Sequence, residues 1–568
     1  MQENKIPEKN FYQTLLIMGI ISICFLGILN HDLWTPDEPR AAAISLEMSH
    51  TGNFVTPSLA GKPFIEKPPL YFAAAAGLIK TMGPVVGNTG AIRFTSALFG
   101  LFTLLATFLL AKCLKGKSFA FLSIIILGTM EGFVENFHWI RVDAALSFFV
   151  VSAIWCFAEV YLKKRSWFLP LAGLFTACAF LSKGLIGPLL IAIPWAGLFF
   201  IWLKQNRGAD RKNSLFVLQH ILCTGIFIFI SGLWIVFLRI KGGQDLWNQW
   251  FWVNQVGRLT GSASKGHHHS GEPFYYLITM AMYSMPWLPL IIIWIFSVFK
   301  RLRQDKTISK ENMILLIWGA GTILILSISV TKRSIYLSPA LPAFAMMCAL
   351  ALEEGPWGSF EIYSRFWSVF CTIIMIFLTI LPFTVFLAQK SIPERMFSFI
   401  STFGFNNYIA GTGVIICLYL LLNWKKTGSS SPFFKFAMIT IVFYLVMFLG
   451  PMKAIDLEKS MKSSVQKFCG HISTEARPHV AGWNFSETMR ANFYYYCNWS
   501  VPQIKKKTRV QKIINGGDDE FNSIIINHVS SIPDLIQSSY HVIAKGNAGS
   551  FKHSRKIFWV KGSKPVIP

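Results

Sequence analysis

The stretch WTPDEPRAAAISLEMSHTGNFVTPSLAGKPFIEKPPLYF, Trp34–Phe72, decides how the rest of the chain is read. It carries two acidic points, Asp37-Glu38 and Glu66, each beside prolines and a base: Pro36, Pro39 and Arg40 at the first, Lys67, Pro68 and Pro69 at the second. An apolar run precedes it, and almost everything after it, to about residue 452, is further apolar runs. A polar, proline-punctuated segment with paired acids and bases between membrane spans is a functional site by default, because ionisable groups there are costly unless they face a cavity.

The runs set the class. Of 568 residues, 53% are hydrophobic and only 14% charged, against about 25% charged in ordinary soluble domains. Apolar segments near twenty residues long make the chain a polytopic α-helical membrane protein. About thirteen spans are expected, near 11–30, 92–111, 118–137, 143–162, 167–182, 184–203, 215–238, 274–299, 312–330, 334–352, 364–388, 405–424 and 433–451. The run Leu15–Leu29 lacks a clear cleavage site and reads as a retained anchor. Between the first spans, Pro39–His50 reads as a short amphipathic helix stopped at Gly52-Asn53, and Tyr71–Met82 as a second, interfacial one.

The net charge of +25 points away from nucleic acid in such a chain. Bases in cytoplasmic loops account for much of it, and anionic lipid head groups are the natural partner for the rest. Lys112/Lys115/Lys117, Lys163/Lys164/Arg165, Lys204/Arg207/Arg211/Lys212, Lys300/Arg301/Arg303/Lys306/Lys310 and Lys425/Lys426 fall in alternate loops. They share the side of the N-terminal tail, which is therefore cytoplasmic. Asp37, Glu38, Glu66, Lys67, Asp143, Lys183, His267–His269 and Lys332 then all reach the opposite, outer face.

From residue 453 charge rises and long apolar runs end. β-like pieces at 479–483, 522–529, 541–546 and 556–562, with a helix over Ile455–Phe468, predict a small α/β domain over 453–568, after a transmembrane catalytic domain over 1–452. Lys505–Lys507 reads as a solvated turn. If this part is extracytoplasmic, Cys469 and Cys497 can pair, whereas cysteines such as Cys24 and Cys156 lie in apolar runs as small hydrophobes.

Each charged residue has a plain reading beside the chemical one. Asp37-Glu38 is a helix N-cap or a general base. Lys67 is a snorkelling lysine paired with Glu66, or a point charge on a phosphate, with Glu66 holding a divalent metal or orienting the lysine. Asp143 opens a span and faces a cavity; Lys183 is a turn anchor or a cavity base; Lys332-Arg333, followed by Tyr336, suits a phosphate. His267–His269 match no zinc spacing and read as lining an acceptor cavity.

The segment PDEPR…EM…G…P.L.GKPF.EKPPL, followed in order by RVDAAL, SKGLIGP, GR…HH…EPFYYL and TKRSIYLSPALPAFA, resembles the bacterial GT-C glycosyltransferases of the aminoarabinose-transferase type, relatives of the protein O-mannosyltransferases. The resemblance implies a GT-C fold with outer juxtamembrane helices and a periplasmic C-terminal domain. It implies transfer of a sugar from an undecaprenyl-phosphate carrier to an acceptor such as lipid A. By motif match Asp37 is the catalytic aspartate, with Asp143 beside it, and Glu66 and Lys67 form the metal and phosphate pair. Arg40, Lys183, Arg258, Lys332 and Tyr336 line the substrate cavity. One departure is Ala41-Ala42-Ala43, where the family often has Tyr-Ala-Glu after the arginine. No nucleotide cofactor is expected, because a donor acting outside the cytoplasmic membrane arrives through the lipid. Protein O-mannosylation is the second reading. A transporter is the third, disfavoured because the charges cluster at one face and no repeat shows.

Overall fold

The structure is a computed structural model that describes residues 6–205, 214–260, 274–304, 307–355, 357–387, 407–424, 431–528, 540–547 and 556–562. Among these, nine helices are long and apolar enough to cross a membrane, or eleven if two bent pairs each count as one span. Two further apolar helices, Phe11–Phe25 and Tyr408–Leu422, are shorter. The chain is a polytopic helical membrane protein, as its apolar runs require.

Several boundaries differ from the sequence expectation, each at a helix-breaking residue. The span expected at 92–111 and the interfacial helix expected at Tyr71–Met82 are two limbs of one helix, Leu70–Lys115, broken at Gly87 (φ 75°, ψ 158°). That conformation is open to glycine and strained for other residues. The outer loop expected from 239 is helical to Thr260, with its break at Gly243. The span at 118–137 bends by 65° between Gly128 and Glu131, and that at 274–299 bends by 119° between Tyr283 and Leu288, where Pro286 interrupts it. The first helix ends at Phe25 rather than near 30.

The first juxtamembrane helix, Glu38–Thr51, forms where Pro39 pre-sets the first turn and Gly52 (φ 66°) closes it, its N–H donating to Met48 O at 3.0 Å. Ala42, Ala43, Ile44, Leu46 and Met48 are buried. The chain then turns through a hairpin, Ser58–Leu59 against Lys62–Pro63, whose central residues Ala60 and Gly61 both have positive φ (53° and 77°). A two-residue turn of that kind matches strand twist. Buried Glu47 fixes the hairpin by accepting from Ser58 Oγ and from Gly61 N (3.1 Å), which delivers Glu66-Lys67-Pro68-Pro69 to the start of the next helix.

Toward the C-terminus a five-stranded sheet runs in the order Gln503–Ile504, Val480–Trp483, Ser523–His528, Lys556–Gly562, Tyr540–Asn547. The first three strands are parallel and the last two join antiparallel. Four match the β-like pieces of the sequence; Gln503–Ile504, only two residues long, was not expected. The helix expected at Ile455–Phe468 is two, Met452–Lys459 and Lys462–His471, parted where Ser460 makes a β-bridge to Trp34. Lys505–Lys507 are exposed, and Lys507 opens a helix to Ile514. Cys469 and Cys497 form a disulfide.

Candidate active site

Asp37 and Glu38 are neighbours in sequence and opposites in structure. Glu38 is buried and accepts from Arg93 (2.9 Å), from the Trp34 amide (2.8 Å) and from the Ile140 amide (2.9 Å). Arg93, wholly buried, also donates to the carbonyls of Ile28 (3.3 Å), His31 (2.5 Å) and Asp32 (2.6 Å). This pair pins the entry loop, the juxtamembrane helix, the long helix and the segment before Asp143 into one node. Nearly every polar atom has a partner, which makes a buried ion pair tolerable.

Asp37 stands just outside that node and faces a cavity lined by Arg40, Glu66, Lys67, Arg141, Asp143, Arg333 and Tyr336. The capping reading does not hold: its side chain makes no cap hydrogen bond. Instead Arg40 donates to one carboxylate oxygen and Arg333 to the other. Burial works to push the Asp37 carboxyl up, but the Arg333, Arg40 and Lys67 charges prevail and hold it well below the usual carboxylate range. For Arg40 burial opposes the charge, and the Glu66 and Asp37 carboxylates outweigh it and push its pKa up.

Asp143, buried at the start of its helix, pairs with Lys183, the last residue of the helix Leu169–Lys183. Lys183 is thus ion-paired beside the cavity, and its ammonium lies 3.9 Å from the Tyr336 ring centroid. Arg141 stacks over Trp139 at 4.3 Å and pairs with Glu135 at 3.1 Å. The cavity thus brings four basic side chains, Arg40, Lys67, Arg141 and Arg333, to three carboxylates, one of which Lys183 also pairs, an excess of positive charge that suits a phosphate.

Of the expected site residues, Asp37, Arg40, Glu66, Lys67, Asp143, Lys183 and Tyr336 meet here. From the Lys332-Arg333 segment, Arg333 lines the cavity, where the chain is extended (φ −145°) just before the helical turn Ser334–Ala340. The Arg258 side chain and His267–His269 lie outside the described residues. Sequence reasoning also missed Arg93, Arg141 and Glu487. Arg93 and Arg141, charged residues at or beside apolar spans, carried a readable signal. Glu487, 2.9 Å from Arg40, did not.

Among the described residues no three His, Cys, Asp or Glu side chains converge, and both Asp37 oxygens are engaged by guanidinium groups. Glu66, the expected metal ligand, is the carboxylate most felt by Arg40.

Residues 66–235 match the family described as Dolichyl-phosphate-mannose-protein mannosyltransferase. ArnT from Cupriavidus metallidurans, solved bound to undecaprenyl phosphate, superposes with a TM-score of 0.72 over 96% of this chain and 97% of that one, at 16% identity. The fold is that of the aminoarabinose transferases. The resemblance carried by the PDEPR and EKPP motifs is borne out. Relatives named undecaprenyl phosphate-alpha-4-amino-4-deoxy-L-arabinose arabinosyl transferase are 28% identical over 62% of this chain in Aeromonas hydrophila and 29% identical over 60% in Pseudomonas fluorescens. The chain spans about three-fifths of the length of these curated relatives, 62% and 59%.

Proposed function

We propose that the chain is an inverting glycosyltransferase that moves a sugar from an undecaprenyl-type phosphate carrier to an envelope acceptor such as lipid A. The observation that carries the reading is the convergence of Asp37 with Arg40, Lys67 and Arg333 in one cavity, with the Asp143–Lys183 pair in reach. The names of the relatives support the donor class.

In this reading an acceptor oxygen forms a bond to the anomeric carbon from the face opposite the carrier. The bond to the carrier phosphate breaks, and its electron pair leaves on the phosphate. Lys67, Arg40 and Arg333 stabilise that growing charge, as preorganised cations in a cavity do. Asp143 holds Lys183 against Tyr336 as a further base for the phosphate. Asp37 takes the proton of a hydroxyl acceptor. Its resting contacts make it a weak base. An arriving phosphate competes for Arg40 and Arg333, and that competition raises its basicity.

The orientation, a bacterial inner membrane, a periplasmic catalytic face, thirteen spans and a division into 1–452 and 453–568 belong to the same proposal. The alternating loop bases support the orientation. A periplasm-dependent reporter fused after residue 460 is expected to be active, and one after Lys164 silent; the reverse sinks the orientation. The function is tested by supplying purified protein with a synthetic polyprenyl-phosphate aminoarabinose and lipid A, and reading product mass. Failure to transfer to lipid A or to any envelope acceptor, with the donor intact, would refute it.

A further inference from the structure

A second polar cavity, of about 600 Å³, lies at the other end of the Glu38–Thr51 helix, between that helix and the C-terminal part of the chain. The helix has 14 residues, so the cavity is roughly 20 Å from Asp37 at 1.5 Å per residue. A second helix, Glu487–Cys497, spans the same interval: Glu487 meets Arg40 at the first site, and Tyr495 and Cys497 line the second.

Its lining includes His50, Asn88, Gln466, Arg477, Tyr495 and Asn498, and no acidic residue. The break at Gly87 brings Asn88 to it. Arg477 is held at its base: its guanidinium donates to Cys497 O (3.2 Å) and Cys469 O (3.3 Å) and lies 5.5 Å from the Trp499 ring. The two carbonyls belong to the disulfide pair, so the crosslink fixes the seat of the arginine. The Nε–H of Arg477 is buried and has no hydrogen-bond partner, and an unmet buried donor is costly. A half-buried guanidinium, two tyrosines and three side-chain amides, without a carboxylate, suit a polar ligand that is rich in acceptors and negatively charged.

We infer that this cavity is a second subsite, which binds the phosphorylated saccharide of the acceptor while another part of that acceptor is glycosylated at Asp37. The inference rests on the transferase reading above for its consequence, but not for its binding test. Two sites roughly 20 Å apart on one rigid helix pair select an extended glycan over a small acceptor, because the second contact adds affinity remote from the reacting atoms.

The test uses the full chain in nanodiscs and two soluble probes, a phosphorylated oligosaccharide without acyl chains and its unphosphorylated parent, with affinity read by ligand-observed NMR. The phosphorylated probe is expected to bind about tenfold more tightly, since a charge-assisted contact is worth about that factor. Arg477→Ala is expected to erase the preference, and Arg477→Lys to restore part of it. Because Arg477→Ala removes contacts to the disulfide, the rim double variant His50→Ala/Gln466→Ala provides a second reading. Both side chains are exposed, and the variant is expected to weaken binding at an unchanged melting temperature. In transfer assays these variants raise the acceptor KM about tenfold and leave kcat within about twofold, the signature of lost uniform binding. Equal affinity for the two probes, or an undiminished preference in a folded Arg477→Ala protein, overturns the subsite. Loss of transfer with probe binding intact overturns the transferase reading instead.

Discussion

Glu38→Gln and Asp37→Asn make the sharpest pair of perturbations, because adjacent residues are assigned unlike work. Glu38 is 2% exposed and balances the charge of an Arg93 that is fully buried. Gln keeps the shape and leaves the guanidinium buried without its counter-charge, a loss of about 3–5 kcal/mol for a broken buried pair. The node ties four segments, so the loss is expected as a drop of about 5 °C or more in melting temperature in detergent, with activity falling in parallel. Asp37 is 28% exposed at its side chain and bound by two arginines that face the cavity. Asp37→Asn is therefore expected to melt within about 2 °C of the parent, since a partly exposed pair contributes little. It is expected to transfer sugar about 10²-fold more slowly or worse, the range for lost acid/base assistance. The assay is differential scanning fluorimetry beside single-turnover transfer on the same preparations. A Glu38→Gln protein that melts with the parent, or an Asp37→Asn protein that keeps near-normal turnover, refutes the division.

Lys67→Arg is expected to impair carrier-phosphate binding and turnover severely, because a planar guanidinium does not replace a compact ammonium in a fitted cavity; parent-like binding and turnover would return Lys67 to a snorkelling role. Arg333→Gln removes the foremost charge that holds the Asp37 carboxyl down, so the acid limb of the pH–rate profile moves upward; the resting pair contributes stability above the ordinary carboxylate pKa and loses it as pH falls, so an unmoved limb counts against the contact. Asp456, which accepts from Trp34 Nε1 at 2.6 Å and from the Asp32 amide at 3.0 Å, has its carboxyl raised by burial to about 6. A raised carboxyl favours the protonated fold, so its contribution is present below the ordinary value and lost as pH rises through about 6; Asp456→Asn is expected to melt higher at pH 7.5 and to flatten melting temperature between about pH 4 and 6, and an unchanged pH trend would refute this. Transfer is expected to persist in excess EDTA; loss that one divalent cation restores would instead assign Glu66 a metal.

The sequence alone determined the class and most of the cavity. Twenty-residue apolar runs have one stable solution in lipid, a helix whose backbone groups bond internally, so spans are legible from composition. Charges beside such spans are expensive, which is why Asp37, Glu66, Lys67, Asp143 and Lys183 could be singled out, and four strands near the C-terminus followed from β-like runs. Tertiary structure alone decided the rest. Asp37 and Glu38 look alike in sequence, and only packing against Arg93, 55 residues on, makes one a structural counter-charge while the other meets Arg333 across 296 positions. That Arg333 reaches the cavity depends on the local backbone direction before Ser334, and no residue type encodes it. The contact of Glu487 with Arg40 joins residues 447 apart in sequence. Local propensity carries no information about such pairings, because they exist only once helices have packed and brought unlike charges within reach.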